Sequence, residues 1–145
     1  MHEALTRLLA IDLGARRTGL AGTDDAGLIP LPLGTLPEER KASDRLRRVE
    51  RLGAQRGVQA FIVGLPLESS GNEGRSAAAA REFAVRLAER SKRPVMLLDE
   101  RLSSVEADEL LRHGGSRNPK GDRDAMAALV LLRAYLHGAR GEWIG

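Results

Sequence analysis

Five acidic residues stand where they could do chemistry. Asp12 follows directly on the apolar run Leu8–Ile11, and Asp99-Glu100 follow on Val95–Leu98. Asp122 and Asp124 open a third apolar stretch, Ala125–Leu136. An acid at the end of a buried strand is costly unless something compensates its charge. If both strands are central in one sheet, Asp12 and one of the Asp99-Glu100 pair meet at one sheet edge. A helix as apolar as 125–136 must be buried, so its N-terminus can aim an acid at the same edge. Three carboxylates converging without cysteine or histidine suit a hard divalent cation, Mg²⁺ or Mn²⁺. A pair of such ions about 3.5–4 Å apart activates water and stabilises the leaving oxygen of a phosphodiester. Each acid also has a plain structural reading. Asp122 is a natural helix N-cap, Asp99 a strand-end hydrogen-bonding residue, and Asp12 a partner for Arg16 or Arg17. Spacing alone leaves both readings open, because charged pairs also perturb acids for structural reasons.

The elements that must position these acids follow from pattern. Leu8–Ile11 reads as a buried strand, Gly14 as a turn, and Thr18–Thr23 as a returning strand. Asp24-Asp25-Ala26-Gly27 is a turn signal before a third strand, Leu28–Thr35, weakened by Pro30 and Pro32. Glu38 to about Arg56 reads as a charged helix with Leu46, Val49 and Leu52 inward, stopped by Gly57. Ala60–Gly64 is a buried strand, and Leu65–Gly74 a flexible loop. Ser76–Arg90 is a helix with an apolar stripe of Ala80, Phe83, Ala84 and Leu87. After the strand Val95–Leu98, Ser103 or Ser104 can cap a helix to about His113, with Glu106 at capping-box spacing from Ser103. His113–Lys120 is a polar loop, Asp122 caps the final helix, and the tail after Gly138 has no usable pattern. The order βββαβαβαα implies an α/β fold with a five-stranded mixed sheet, three antiparallel strands then two parallel, flanked by helices. Residues 1–138 read as a single domain and 139–145 as a C-terminal tail. Ligands of such sheets gather at the C-terminal ends of the parallel strands.

Composition narrows the function classes. The 145 residues suit one domain of ordinary size. Absence of cysteine excludes disulfides, thiolate zinc sites and a cysteine nucleophile. No apolar run approaches the roughly 20 residues that span a bilayer, and the N-terminus has no signal-peptide pattern. The expected compartment is the cytoplasm. Net charge is only +3, but Arg supplies 20 of the 23 basic residues. Its planar fork suits phosphate, although codon habit explains the same bias. One Trp, one Tyr and two Phe are few for a base-stacking platform.

Four segments together resemble the RuvX/YqgF family of RNase H-like nucleases, relatives of the RuvC resolvases. They are LLAIDLGARRTGLAGTD (8 to 24), FIVGLPLESSGNEG (61 to 74), LLDERLSSVEADELL (97 to 111) and KGDRDAMAALVLL (120 to 132). The resemblance implies an RNase H-like fold, in agreement with the pattern above. It also implies that Asp12, Glu100 and Asp124 are the catalytic, metal-binding acids, served by Mg²⁺ or Mn²⁺, with two ions. No covalent enzyme intermediate is implied. Arg17 and Arg101 match basic positions of the family; with Arg16 and Lys120 they are candidates to contact nucleic acid. Gly14 would let the backbone turn beside Asp12, and the loop after Pro66 would close over substrate. Ala15 departs from the family's usual Thr, and Ser103-Ser104 from its usual Thr pair. Asp122 is either a cap or an extra carboxylate near the metals. The implied function is endonucleolytic hydrolysis in structured RNA or branched DNA, foremost at the 5′ end of pre-16S rRNA. The alternative is resolution of four-way DNA junctions, which would need a homodimer. A further alternative is a non-catalytic nucleic-acid-binding factor for ribosome assembly or transcription. It is disfavoured because three buried acids without a metal are costly. An actin-like ATP-binding fold ranks last, because the chain is too short for two lobes.

Overall fold

The computed structural model describes residues 5–14, 17–27, 29–37, 41–101 and 119–145, with side chains in the last segment from Arg123 onward. Arg16, the helix expected from Ser103 to His113, and Ser103-Ser104 lie outside the described residues. So do the side chains of Lys120 and Asp122.

Six strands form one sheet in the order β3-β2-β1-β4-β5-β6. β1 is Leu8–Leu13, β2 Thr18–Thr23, β3 Pro30–Leu36, β4 Ala60–Leu65, β5 Val95–Asp99 and β6 Glu142–Ile144. The first three pair antiparallel, and β1, β4 and β5 run parallel, as the pattern requires. The sixth strand corrects the expected five: the tail returns antiparallel to β5, pairing Trp143 with Met96. Three residues are too short for a periodic signal, and the register exists only once β5 offers an open edge. Pro30 and Pro32 sit on the outer strand β3, opposite Thr23 and Ala21, where a missing N–H costs no ladder bond.

Alternation divides the core into two layers. Leu9 and Ile11 of β1, Leu20 of β2, Phe61, Val63 and Leu65 of β4, and Val95 and Leu97 of β5 form one layer. It packs against α1 (Ala42–Arg56) and α2 (Arg75–Ser91). Their neighbours Leu8, Ala10, Ala21, Ala60, Ile62, Met96 and Leu98 form the other, against α3 (Pro119–Leu136). In α1, Leu46 and Val49 are buried as expected. Gly53 takes the third place and Leu52 is only half-buried. A Cβ on Gly53 would lie 2.5 Å from the Phe61 ring. Gly57 ends α1 in the left-handed conformation (φ 63°), its N–H bonded to the carbonyl of Ala54. The α2 stripe is as expected: Ala80, Phe83, Ala84 and Leu87 are buried.

Two expectations need correction. Asp122 is not the cap of α3. The helix begins three residues earlier at Pro119, a residue suited to a first helical position because its missing N–H has no intrahelical partner there. That also moves Lys120 from a loop into the first helical turn. The segment after Pro66 is not a loose loop. Leu67 pairs with Glu73, Glu68 N–H bonds the Asn72 carbonyl at 2.9 Å, and Gly71 N–H bonds the Glu68 carbonyl at 2.8 Å. Arg81 on α2 holds this hairpin through Glu73 (2.8 Å) and reaches Glu142 of β6 (2.8 Å).

Candidate active site

Strand parity decides which acids converge. Leu8 and Ala10 face α3, so Asp12, two residues further along β1, falls on the same side. Met96 and Leu98 face α3 as well, which puts Glu100 there and sends Asp99 to the opposite side. The choice that sequence left open between Asp99 and Glu100 is therefore made by alternation. Asp99 instead accepts from Arg101 through both oxygens (2.7–3.1 Å), and the guanidinium holds its carboxyl below the ordinary carboxylate range.

β1 and β5 are not neighbours; β4 lies between them. Across two strand spacings, roughly 9–10 Å, two carboxyl groups meet only if the middle strand leaves room. Gly64 provides it. A Cβ there would stand 2.8 Å from Oε2 of Glu100 and 3.0 Å from Leu131. Glu100 reaches over this gap and hydrogen-bonds the Asp12 side chain. Its backbone N–H is fixed to the Leu65 carbonyl at 3.1 Å. Burial, reinforced by the hydrogen bond and charge of Asp12 and by the charge of Asp99, pushes the Glu100 carboxyl up to about 9. At neutral pH the Asp12–Glu100 pair thus holds a proton. Asp12 is 7% exposed, and its Oδ1 is buried with no hydrogen-bond partner among the described residues.

Asp124 comes from the other layer. Gly19 of β2 lets α3 come close, since a Cβ on Gly19 would collide with the Asp124 carbonyl oxygen. The Asp124 carboxyl is raised by burial and by the charge of Asp12, and opposed by Arg17 and Arg123. Arg17 is exposed beside it. Gly14 closes the turn leading to Arg17, donating to the Arg17 carbonyl at 2.9 Å; a Cβ there would come within 2.6 Å of that oxygen. The structure thus brings Asp12, Glu100, Asp124 and Arg17 to one corner. Arg101 points away with Asp99, next to Gly71 of the hairpin: a Cβ on Gly71 would lie 3.7 Å from its Nη1. Gly19, Gly64 and Arg123 were missed in the sequence. A glycine inside an apolar strand was the available signal for the first two, but only the register says what it faces.

The donor set is carboxylate oxygen alone, which suits a hard divalent cation. The buried Asp12 Oδ1, with no hydrogen-bond partner among the described residues, is an oxygen that such a cation could take up. As the side chains stand, no three Asp, Glu, His or Cys groups among the described residues are arranged around a common ion position.

Comparison with known proteins follows the same outline. The family model described as "RuvX: Holliday junction resolvase" matches residues 6–138. A protein of Clavibacter michiganensis subsp. michiganensis named "Putative pre-16S rRNA nuclease" is 40% identical over 134 residues, 91% of this chain and 83% of its own length. A Lactobacillus johnsonii protein of the same name is 34% identical over 141 residues, covering 94% of this chain and 99% of that one. Among solved structures, T. thermophilus RuvC in complex with a Holliday junction substrate superposes with a TM-score of 0.60 at 17% identity. The match covers 94% of this chain and 99% of that one. It shows a shared RNase H-like fold.

Proposed function

Because this chain belongs to the RuvX family, we propose that it is a divalent-metal-dependent endonuclease of structured nucleic acid, whose substrate is the 5′ end of precursor 16S rRNA. The observation that carries the reading is the meeting of Asp12 and Glu100 across Gly64, with Asp124 delivered beside them by α3. Asp12, Glu100 and Asp124 would hold the cations, Mg²⁺ or Mn²⁺ and two in number. When bound, these ions supply an activated water and charge neutralisation at the scissile phosphate.

The chain's own groups do the rest. Glu100 and Asp12 would hold a cation as carboxylates, the Glu100 proton passing to solvent water. Arg17 tempers the charge of Asp124 and offers an exposed guanidinium to a phosphate oxygen. Arg101 is engaged by Asp99 beside Gly71 of the hairpin, and Lys120 belongs to the first turn of α3. Recognition of a shaped backbone rather than base edges suits this arginine-rich surface.

The test offers precursor rRNA ends, junction DNA and plain duplex side by side with Mn²⁺. Cleavage of the rRNA end, lost in Asp12→Asn, supports the proposal; intact substrate under every condition would overturn it. A second reading, resolution of four-way junctions, is favoured by the family's description and by the RuvC-like fold. It demands a two-fold dimer cutting two strands. A protein that stays monomeric on junction DNA would remove it.

A further inference from the structure

Two of the chain's four aromatic residues stand together at one surface corner, far from the acids. Tyr135, near the end of α3, is buried, and its ring meets Trp143 of β6 edge-on, with centroids 6.3 Å apart and planes at 85°. The Arg140 guanidinium lies over the Tyr135 ring at 4.2 Å. It is held there because Nη1 donates to the carbonyls of Tyr135 (3.0 Å) and Ala139 (2.7 Å). Trp143 remains 41% exposed, and Leu136, which follows Tyr135 on α3, 38%. From Arg133 to Gly145 the one acid is Glu142, and strand parity turns it to the face opposite Trp143, where Arg81 holds it. Arg133 and Arg140 are the arginines of this stretch.

An exposed indole beside a guanidinium held over the neighbouring Tyr135 ring, in a stretch whose one acid faces the other way, matches an unpaired nucleotide. Its base stacks on Trp143 or Arg140, and its phosphate meets the arginines. We propose that this corner, formed by Tyr135, Arg140 and Trp143, binds a single-stranded flank of the nucleic-acid substrate. The inference rests on the reading of the chain as a nucleic-acid enzyme, and adds a second contact to it. Asp124 and Tyr135 are separated by about 16 Å of helix at ~1.5 Å per residue. At ~3.4 Å per stacked nucleotide, the corner meets the strand roughly five nucleotides from the cut. A composition with few aromatics argues against a broad stacking platform; it does not argue against one anchoring base.

Trp143 is the only tryptophan, so its fluorescence reports on this corner alone. The experiment titrates protein with an octa-adenylate RNA in EDTA, where no cleavage occurs, and with an abasic octamer of equal charge. Labelled-oligonucleotide anisotropy is followed in parallel. The expected result is quenching by octa-adenylate and little by the abasic strand. Trp143→Ala should weaken octa-adenylate binding by roughly fivefold or more, while Trp143→Phe, which keeps a ring in the core contact, retains most of it. Equal binding of both oligonucleotides, or unchanged binding by Trp143→Ala, overturns the proposal. So does emission that changes with protein concentration alone while sedimentation shows a dimer, which would make the corner a contact between copies. Quenching without cleavage of any substrate in Mn²⁺ would sink the nuclease reading and leave this one standing.

Discussion

Glu100→Gln should make the metal-free protein more stable, by an amount that grows with pH. In the folded chain the Glu100 carboxyl is buried against Asp12 and titrates at about 9, against 4.5 for the free side chain. A group raised in this way contributes fully only below its unfolded value. Its contribution is then lost as pH rises toward the folded one. At pH 7 the unfolded chain has released the proton and the folded chain still holds it. At about 1.4 kcal/mol per pH unit, that difference costs the native state up to ~3 kcal/mol at pH 7 and up to ~6 kcal/mol at pH 9. These are ceilings, since water entering the site relieves part of the strain. Gln is neutral and donates an amide N–H to Asp12 where the protonated Glu donates its O–H. It reproduces the protonated state without titrating. Urea denaturation of both proteins in EDTA at pH 5, 6, 7 and 8 measures the gap. It should be near zero at pH 5 and widen at each step. Mn²⁺ should then reverse the order at pH 8 by stabilising the wild type more. A gap that is flat across pH would refute the reasoning, because it would mean that Glu100 is not buried against Asp12 as a proton-holding partner.

Other outcomes follow from the same geometry. Asp12→Asn, Glu100→Gln and Asp124→Asn should each abolish Mn²⁺-dependent cleavage in a gel assay while circular dichroism shows a native fold. Gly64→Ala should cost about 1–3 kcal/mol and most of the cleavage rate, and adding Glu100→Asp, one methylene shorter, should recover part of that rate. Gly19→Ala should be the more destabilising in thermal melts, because its Cβ meets backbone, the Asp124 carbonyl, rather than a movable side chain. Arg17→Ala should leave Asp124 harder to ionise, read as weaker Mn²⁺ binding by calorimetry at pH 6.

Where a signal is local, the chain could be read directly. Apolar runs gave β1, β4 and β5, the 3.6-residue stripe gave α2, and Gly57 marked the end of α1. The acids Asp12, Glu100 and Asp124 stood out because each ends or begins a buried element. Contacts that exist only after strands pair could not be read. Gly64 looks like any small residue in AFIVGL until β1 and β5 flank it. The three residues of β6 carry no period, and their partner is 47 positions away at Met96. The hairpin after Pro66 has the composition of a loose loop, and its order comes from Arg81 on a different element.

The two outer strands of the sheet also set how copies of this chain can meet. On β3, Pro30 and Pro32 remove donors from the open edge, and the pairing with β2 shifts register between Leu20 and Ala21. On the other side β6 offers only three residues. Neither edge provides a flat, continuous template for another strand, so aggregation by sheet extension is disfavoured at both ends. A two-fold assembly, if junction cleavage demands one, is therefore not expected to form by edge-to-edge pairing of β3 or β6.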